Sequence, residues 1–262
     1  MPLFTHLDHW PAGRVAVRVV SLVPSITELL YDLGMGERVV GITKFCVHPV
    51  EWYKTKRRVG GTKNVNTDVV QSLHPDLVIA NREENVEEQV MKLAATTNVY
   101  LTDIQCIDDA LKMIADIGML TGKEHEAEHL IKDIRNGFHV LPHLGHAQSA
   151  LYLIWNNPIM AAGGDTFISH LMGIIGLKNA AGHLLRYPEI HPDQFSGNPP
   201  SLILLSSEPF PFSLKHVAGK QKIFPCSRIE LVDGEMFSWY GSRLLKAPGY
   251  FAGLINRWNQ TP

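Results

Sequence analysis

The chain has 262 residues, 45% of them hydrophobic, which is enough to bury the core of one large domain or of two smaller ones. Its 24 lysines and arginines against 26 aspartates and glutamates give a net charge of −2, which argues against a nucleic-acid-binding protein. The three cysteines, Cys46, Cys106 and Cys226, are far apart and indicate neither a disulfide framework nor a thiolate zinc site.

Membrane and export signals are not recognisable in the sequence. Every apolar run is shorter than the roughly 18 to 20 residues of a membrane-spanning helix. Residues 1–11 contain two histidines, an aspartate and prolines where the apolar core of a signal peptide would be expected. As written, the sequence predicts a cytoplasmic chain, with a periplasmic chain whose leader is missing as the alternative.

Residues 17–33 predict a strand followed by a helix. Residues 17–23 form a short β-branched run, which is typical of a buried strand. Ser25 and Glu28 have the spacing of a capping box, and an apolar stripe follows them. Further strands are predicted over residues 38–42, 75–80 and 99–101. Because strands alternate with helical segments, a largely parallel sheet covered by helices is expected.

Residues 123–141 form a single uninterrupted helical pattern, which predicts a helix about 30 Å long. The strand pattern then starts again, with strands predicted over 150–155 and 200–205 and a glycine-containing loop over 163–165. The sequence therefore predicts an α/β fold of two similar parallel-sheet lobes joined by one long backbone helix, with a ligand cleft between the lobes. The expected divisions are an N-terminal extension over 1–16, lobes over 17–106 and 148–262, and connecting helices over 107–147.

Candidate ligand-binding residues follow from this architecture, because ligands of open parallel sheets bind outside the carboxyl ends of the strands. This set is rich in aromatic and amide side chains, which suit a large, flat, partly apolar ligand. The alternative is that Trp155 and Trp239 are ordinary core residues. The predicted binding residues are Pro24, Ser25, Phe45, Asn81, Trp155, Asn156, Tyr187, Glu208, Trp239 and Tyr240.

One motif suggests catalysis instead. His125, Glu126 and His129 match H-E-x-x-H, the zinc-binding pattern of metal-dependent hydrolases. On a helical wheel, however, both histidines lie nearly opposite the apolar stripe that contains Ala127 and Ile134. No third ligand follows at a recognised spacing. A solvated helix face is therefore expected, and a hydrolase using His125 and His129 stays as an alternative function.

Other enzymatic signals are absent from the sequence. It contains no Walker loop, no G-x-G-x-x-G and no G-x-S-x-G. His139, His143 and His146 lie in a linker with proline and glycine, where a surface turn is expected and capture of a stray transition metal is the alternative. We therefore expect a non-catalytic chain with no catalytic residues, no resident metal and no cofactor.

Three segments carry a resemblance to a known family. Residues 18–28, 75–79 and 163–168 resemble the substrate-binding proteins of iron-siderophore and vitamin B12 ABC importers. The resemblance runs from about Arg18 to the C-terminus and implies two α/β lobes bridged by a rigid helix. It also implies a monomer that captures a small molecule and delivers it to an ABC transporter permease. A corrinoid is the expected ligand, and a ferric siderophore or haem is the alternative.

The resemblance also suggests roles for individual positions. Where cobalamin-binding members carry a tryptophan after the third strand, this chain has Asn81, and a second tryptophan corresponds to Tyr187. Two transporter-docking glutamates, one in each lobe, correspond to Glu87 and Asp193. An importer's receptor must lie outside the inner membrane, so either the true start of the chain differs or it is an intracellular relative. An intracellular scaffold with an empty cleft is a third possibility.

Overall fold

The computed structural model describes residues 3–146 and 148–260, which form two compact α/β units. Unit 1 takes in the described chain up to Ile104, followed by Asp108–Arg135 and Tyr240–Leu245. Unit 2 takes in Gln105–Ile107, Asn136–Trp239 and the described residues from Lys246 onwards. The prediction of two α/β units is confirmed.

Unit 1 is built on a six-stranded parallel sheet with the strand order β1-β6-β5-β2-β3-β4. Its strands are β1 (Leu3–Phe4), β2 (Val19–Ser21), β3 (Val39–Ile42), β4 (Arg57–Arg58), β5 (Leu77–Asn81) and β6 (Asn98–Thr102). Its helices include α1 (Pro24–Asp32), α2 (Val50–Thr55), α3 (Thr67–Ser72) and α4 (Glu87–Ala94). The central strands are buried on both faces, which explains why they read as continuous apolar runs in the sequence.

The start of α1 differs from the predicted capping box. Val23 is the N-cap residue and makes no side-chain cap, and Pro24 occupies the first helical turn. A proline fits that position because its fixed φ suits the helix and its missing N–H would have no partner there. The helix therefore begins two residues earlier than predicted, which places Ser25 inside the first turn. The Glu28 carboxylate pairs with the buried Arg243 guanidinium.

Two helices in succession follow the sheet of unit 1: α5 (Ile107–Thr121) and α6 (Glu124–His139). Gly122 separates them with φ +66°, a left-handed conformation that favours glycine. The 16 residues of α6 span about 24 Å, and Ala127 and Ile134 are buried as the apolar stripe predicts. The predicted long helix is thus confirmed, slightly shorter at both ends. Its residues divide between unit 1 and unit 2.

Unit 2 contains a mixed sheet with the order β11-β10-β7-β8, and β9 also pairs with β7. Its strands are β7 (Gln148–Trp155), β8 (Met160–Ala161), β9 (Leu177–Asn179), β10 (Leu202–Ser206) and β11 (Arg228–Val232). Its helices include α7 (Phe167–Ile174), α8 (Leu214–Ile223), α9 (Gly234–Ser238) and α10 (Ala247–Asn259). The expectation of a largely parallel sheet is confirmed, and the exception is β8, which folds back antiparallel to β7. Within the described ranges, no helix is both long and apolar enough to cross a bilayer.

Candidate functional site

Asn81 lies at the carboxyl end of β5 and organises the loop that follows. Its side chain is 2% exposed, and its Nδ2 donates to the Thr102 carbonyl at 3.2 Å and to the Thr102 hydroxyl at 3.1 Å. Its Oδ1 accepts the backbone N–H groups of Glu83 at 2.8 Å and Glu84 at 3.1 Å. These bonds use the whole amide, so Asn81 shapes this edge of unit 1 through its neighbours.

Unit 1 contains a cavity of about 680 Å³ beside this edge, a size typical of small-molecule pockets. Its wall includes the carboxyl ends of β5 and β6 together with side chains of α4 and α5. Asn81 and Glu87 both line it, although the sequence suggests ligand binding for the first and transporter docking for the second. The residue predicted to bind ligand and the residue predicted to dock the transporter therefore line the same cavity.

Tyr240 and Ser25 lie in the buried part of unit 1. The Tyr240 hydroxyl donates to Glu84 Oε1 at 3.1 Å, and its ring is almost completely buried. Burial raises the pKa of Tyr240 well above its usual value, and the Glu84 carboxylate raises it further. The phenol therefore stays protonated at physiological pH and acts as a donor that holds the loop of Glu84.

Phe45 is the exposed aromatic residue of the predicted set in unit 1. It lies in the loop after β3, and 51% of its surface is accessible. The Lys44 ammonium lies 5.1 Å from the ring centroid, within range of a cation–π contact. Pro24 is half-buried at the start of α1. Phe45 thus offers an open apolar ring at the carboxyl end of a sheet strand.

Unit 2 places an aromatic platform at the carboxyl ends of β7 and β10, made of Trp155, Phe210, Phe212 and His216. Trp155 is 39% exposed, and its ring meets Phe210 edge to face at 5.6 Å between centroids. Phe210 in turn contacts Phe212 at 4.8 Å and His216 at 5.2 Å. The sequence analysis does not predict His216, whose sequence signal is its position three residues after Ser213, the N-cap of α8.

Glu208 and Trp239 form a buried polar cluster in unit 2. Glu208 Oε1 accepts the Trp239 indole N–H at 2.9 Å and the Ser238 hydroxyl at 2.5 Å. Burial raises the pKa of the Glu208 carboxyl; the Ser238 and Trp239 hydrogen bonds oppose this increase, and the charge of Glu235 adds to it. Trp239 is only 7% exposed, so it has the burial of a core residue, whereas Trp155 does not.

The remaining predicted binding residues of unit 2 lie in loops. Asn156 is half-buried, and its carbonyl accepts the Lys220 ammonium at 3.4 Å. Tyr187 is half-buried after Arg186, whose guanidinium lies 3.4 Å from the Asp165 carboxylate. The Gly164 backbone packs so closely that a Cβ would lie 2.1 Å from a neighbouring carbonyl oxygen. This close packing explains the glycines of the 163–168 segment.

Comparison with known proteins identifies the family. Residues 19–223, more than three quarters of the chain, match the family described as periplasmic binding protein. This chain is a periplasmic binding protein. Family members and structural neighbours bind substrates without transforming them, so the expectation of a non-catalytic chain is confirmed.

Two curated relatives illustrate the similarity of this periplasmic binding protein to others. It is 32% identical over 175 residues to YvrC of Bacillus subtilis, an uncharacterized ABC transporter substrate-binding lipoprotein, covering 63% of this chain. That match spans 55% of the relative, little more than half its length. A vitamin B12-binding protein of Pectobacterium carotovorum is 26% identical, over 88% of this chain and 85% of the relative.

Solved structures share the fold of this periplasmic binding protein. The vitamin B12 binding protein BtuF of Vibrio cholerae aligns with a TM-score of 0.75 at 18% identity, over 94% of this chain and 99% of that one. The haem-binding protein HutB of Vibrio cholerae aligns with a TM-score of 0.78 at 19% identity, over 91% and 98%. At these identities the likeness supports the fold and leaves the ligand open.

The two residues that the resemblance assigns to transporter docking are both exposed. Glu87 is the first residue of α4 in unit 1. Asp193 lies in a short 3-10 turn, Pro192–Phe195, of unit 2. Docking itself stays a prediction.

His125 and His129 lie on the exposed face of α6, as the helical wheel predicts. Their Nε2 atoms are 3.2 Å apart. Among the residues the structure describes, no group of three histidine, cysteine, aspartate or glutamate side chains could hold a metal ion. A catalytic zinc site needs three protein ligands, so the hydrolase alternative is unsupported.

Proposed function

We propose that this periplasmic binding protein is the substrate-binding component of an ABC importer and that it captures a corrinoid, a vitamin B12-like ligand. The observation that carries the proposal is the aromatic platform: Trp155 exposes its ring at the carboxyl edge of a sheet, where such folds bind ligands. A broad apolar ring supported edge-on by Phe210 suits a flat macrocycle. The similarity to a curated vitamin B12-binding protein over most of the chain adds support.

The charges near the sheet edges favour a corrinoid over a ferric siderophore. An anionic iron chelate calls for several basic residues directed at the ligand. Here the Arg82 guanidinium lies 3.2 Å from the Asp103 carboxylate, and Arg186 pairs with Asp165. The Lys63 ammonium donates to a backbone carbonyl. These cations are already engaged within their own units, which weakens the case for an anionic ligand.

Haem is a second alternative because haem-binding proteins share the fold. His216 is the histidine of the aromatic platform and the natural candidate for an iron ligand there. Its Nδ1 accepts the Ser213 backbone N–H at 3.0 Å, so the neutral ring carries its proton on Nε2. In that tautomer Nε2 is a donor and offers no free lone pair to iron. The hydrogen bond therefore favours a corrinoid over haem at this platform.

The proposal includes a partner and a compartment. The partner is an ABC transporter permease, and the site of action is outside the inner membrane, as the names of the relatives suggest. We expect the protein to act as a monomer. Immunoblotting of periplasmic and cytoplasmic fractions tests the compartment, and recovery of the native protein only from the cytoplasm would contradict it.

Isothermal titration tests the ligand class directly. Cyanocobalamin and dicyanocobinamide are titrated into the purified protein, with haem and a ferric siderophore titrated in parallel. We expect the corrinoids to bind with a stoichiometry of one and to bind more tightly than haem or the siderophore. Tighter binding of haem or of the siderophore would contradict the corrinoid, and binding weaker than millimolar by all four would overturn the whole ligand class.

Removal of the exposed indole should weaken binding. We expect Trp155→Ala to raise the dissociation constant for cyanocobalamin by about tenfold, because a stacked aromatic ring contributes roughly 1 kcal/mol or more. Trp155→Phe keeps an apolar ring and should lose much less. The half-buried Trp10, which stacks with Arg14, provides a matched control, and Trp10→Ala should leave the affinity unchanged. An unchanged affinity in Trp155→Ala would remove the platform from the site.

The buried carboxyl of Glu208 should make stability depend on pH. Its pKa is raised in the folded state, so the folded chain disfavours the charged form and loses stability as the pH rises above about 4.5. Glu208→Gln keeps the acceptor for Ser238 and Trp239 but carries no charge. We therefore expect this variant to be more stable than the original chain at pH 7, with the advantage disappearing towards pH 4. Chemical denaturation at both pH values measures the difference; a constant difference would contradict the assignment.

A further inference from the structure

The exposed face of α6 carries a histidine pair that the binding function does not use. His125 and His129 are one helical turn apart, and their rings meet edge to face at 4.5 Å between centroids. Their Nε2 atoms approach to 3.2 Å. We propose that this pair is an exchangeable binding site for one divalent transition metal ion of the zinc, nickel or copper type.

The separation of the two nitrogens fits such an ion. Imidazole nitrogens bind zinc at about 2.0–2.1 Å, so an ion equidistant from two nitrogens 3.2 Å apart makes an N–metal–N angle of about 100°. That angle lies between octahedral and tetrahedral geometry. Both nitrogens can therefore reach one ion without a change in the helix backbone.

Helix α6 keeps His125 and His129 on the same exposed face, so both imidazoles are available to one ion. Between the two histidines, Ala127 packs into the core and fixes the rotation of the helix, so the opposite face stays in solvent. Because both ligands project from one rigid turn, the second imidazole binds at a high effective concentration. Glu124 and Glu128 are exposed on the same stretch and contribute negative charge that favours a cation.

The site differs in kind from a catalytic or structural zinc centre. With two protein ligands, water occupies the remaining coordination positions, and the ion exchanges with solvent. Imidazole is a common ligand for zinc, copper and nickel, so the ligand type favours these metals over calcium or magnesium. Binding to the folded helix raises the stability of the native chain, and the increase grows with the logarithm of the free metal concentration once that concentration exceeds the dissociation constant.

Titration of untagged protein with zinc chloride and nickel chloride tests the proposal. We expect a stoichiometry of one, with the affinity at least about tenfold weaker in His125→Ala and in His129→Ala, because each variant loses the chelate. Circular dichroism shows whether the variants keep their fold. Zinc should raise the unfolding temperature of the original chain and raise it less in both variants.

The other histidine group provides the matched control. His139→Ala removes an exposed imidazole from the end of the same helix and dismantles the His139, His143 and His146 group. This variant should keep the full affinity. Loss of binding in His139→Ala, equal binding in all three variants, or no binding by the original chain would each overturn the proposal. The outcome is independent of corrinoid binding.

Discussion

Replacement of Arg243 by alanine is expected to destabilise the protein by about 3–5 kcal/mol, because it leaves a buried carboxylate without its partner. The Arg243 Nε lies 2.8 Å from Glu28 Oε2, and the two side chains are only 8% and 9% exposed. Both residues belong to unit 1, where the segment Tyr240–Leu245 packs on α1. Equilibrium unfolding in urea, followed by circular dichroism, measures the change in the free energy of unfolding.

Two controls separate the lost pair from other effects of the substitution. Arg82→Ala removes a cation that pairs with Asp103 but is 66% exposed, and it should cost less than about 1 kcal/mol. The double variant Glu28→Leu with Arg243→Met replaces both charges by apolar groups and should recover much of the stability. A loss in Arg243→Ala no larger than that in Arg82→Ala would show that the buried pair contributes little.

The Glu28–Arg243 pair is a contact that the sequence analysis does not predict. Ser25 and Glu28 have the spacing of a capping box, and the local pattern therefore predicts a local role for Glu28. In the structure, Glu28 bonds to a residue 215 positions away. No periodicity or spacing within a short window carries information about such a partner, so local patterns predict the helix and miss its tertiary anchor.

The strands that the sequence predicts are those buried on both faces. β2, β5 and β10 are continuous apolar runs, and such runs can be recognised in a single sequence. The strands β1, β4 and β8 have two residues each and are too short to show any period. β11 is missed although its sequence carries a strand signal: Arg228 and Glu230 alternate with apolar residues, which is the period of a half-buried strand.

The predicted binding residues show a similar division. The topology rule correctly indicates that Trp155 lies at the carboxyl end of a strand, because only the order of strands and loops is needed. It cannot distinguish Trp155 from Trp239. The difference in exposure arises because Glu208 accepts the Trp239 indole N–H inside unit 2. The ring contact between Trp155 and Phe210 is likewise tertiary, because Trp155 ends β7 and Phe210 lies in the loop after β10.

Charge reversal at the two proposed docking positions should abolish coupling to the transporter. We expect the double variant Glu87→Lys and Asp193→Lys to lose all stimulation of the ATPase activity of the cognate transporter in liposomes. Both carboxylates are exposed, so they are available to basic residues of a permease, and their replacement by lysine turns attraction into repulsion. If the corrinoid binds at the aromatic platform of unit 2, as proposed, the affinity for cyanocobalamin should not change, because Glu87 lines a separate cavity of unit 1 and Asp193 lies outside the platform.

A second double variant with the same change in charge distinguishes docking from a general electrostatic effect. Glu88 follows Glu87 in the first turn of α4, and Glu189 is exposed in unit 2. Glu88→Lys with Glu189→Lys alters the net charge equally, and Glu88→Lys carries a similar helix-dipole penalty of roughly 0.3–1 kcal/mol. If docking depends on the specific positions, this variant still stimulates the transporter. If both double variants lose stimulation equally, net charge controls the encounter, and the assignment of Glu87 and Asp193 is wrong.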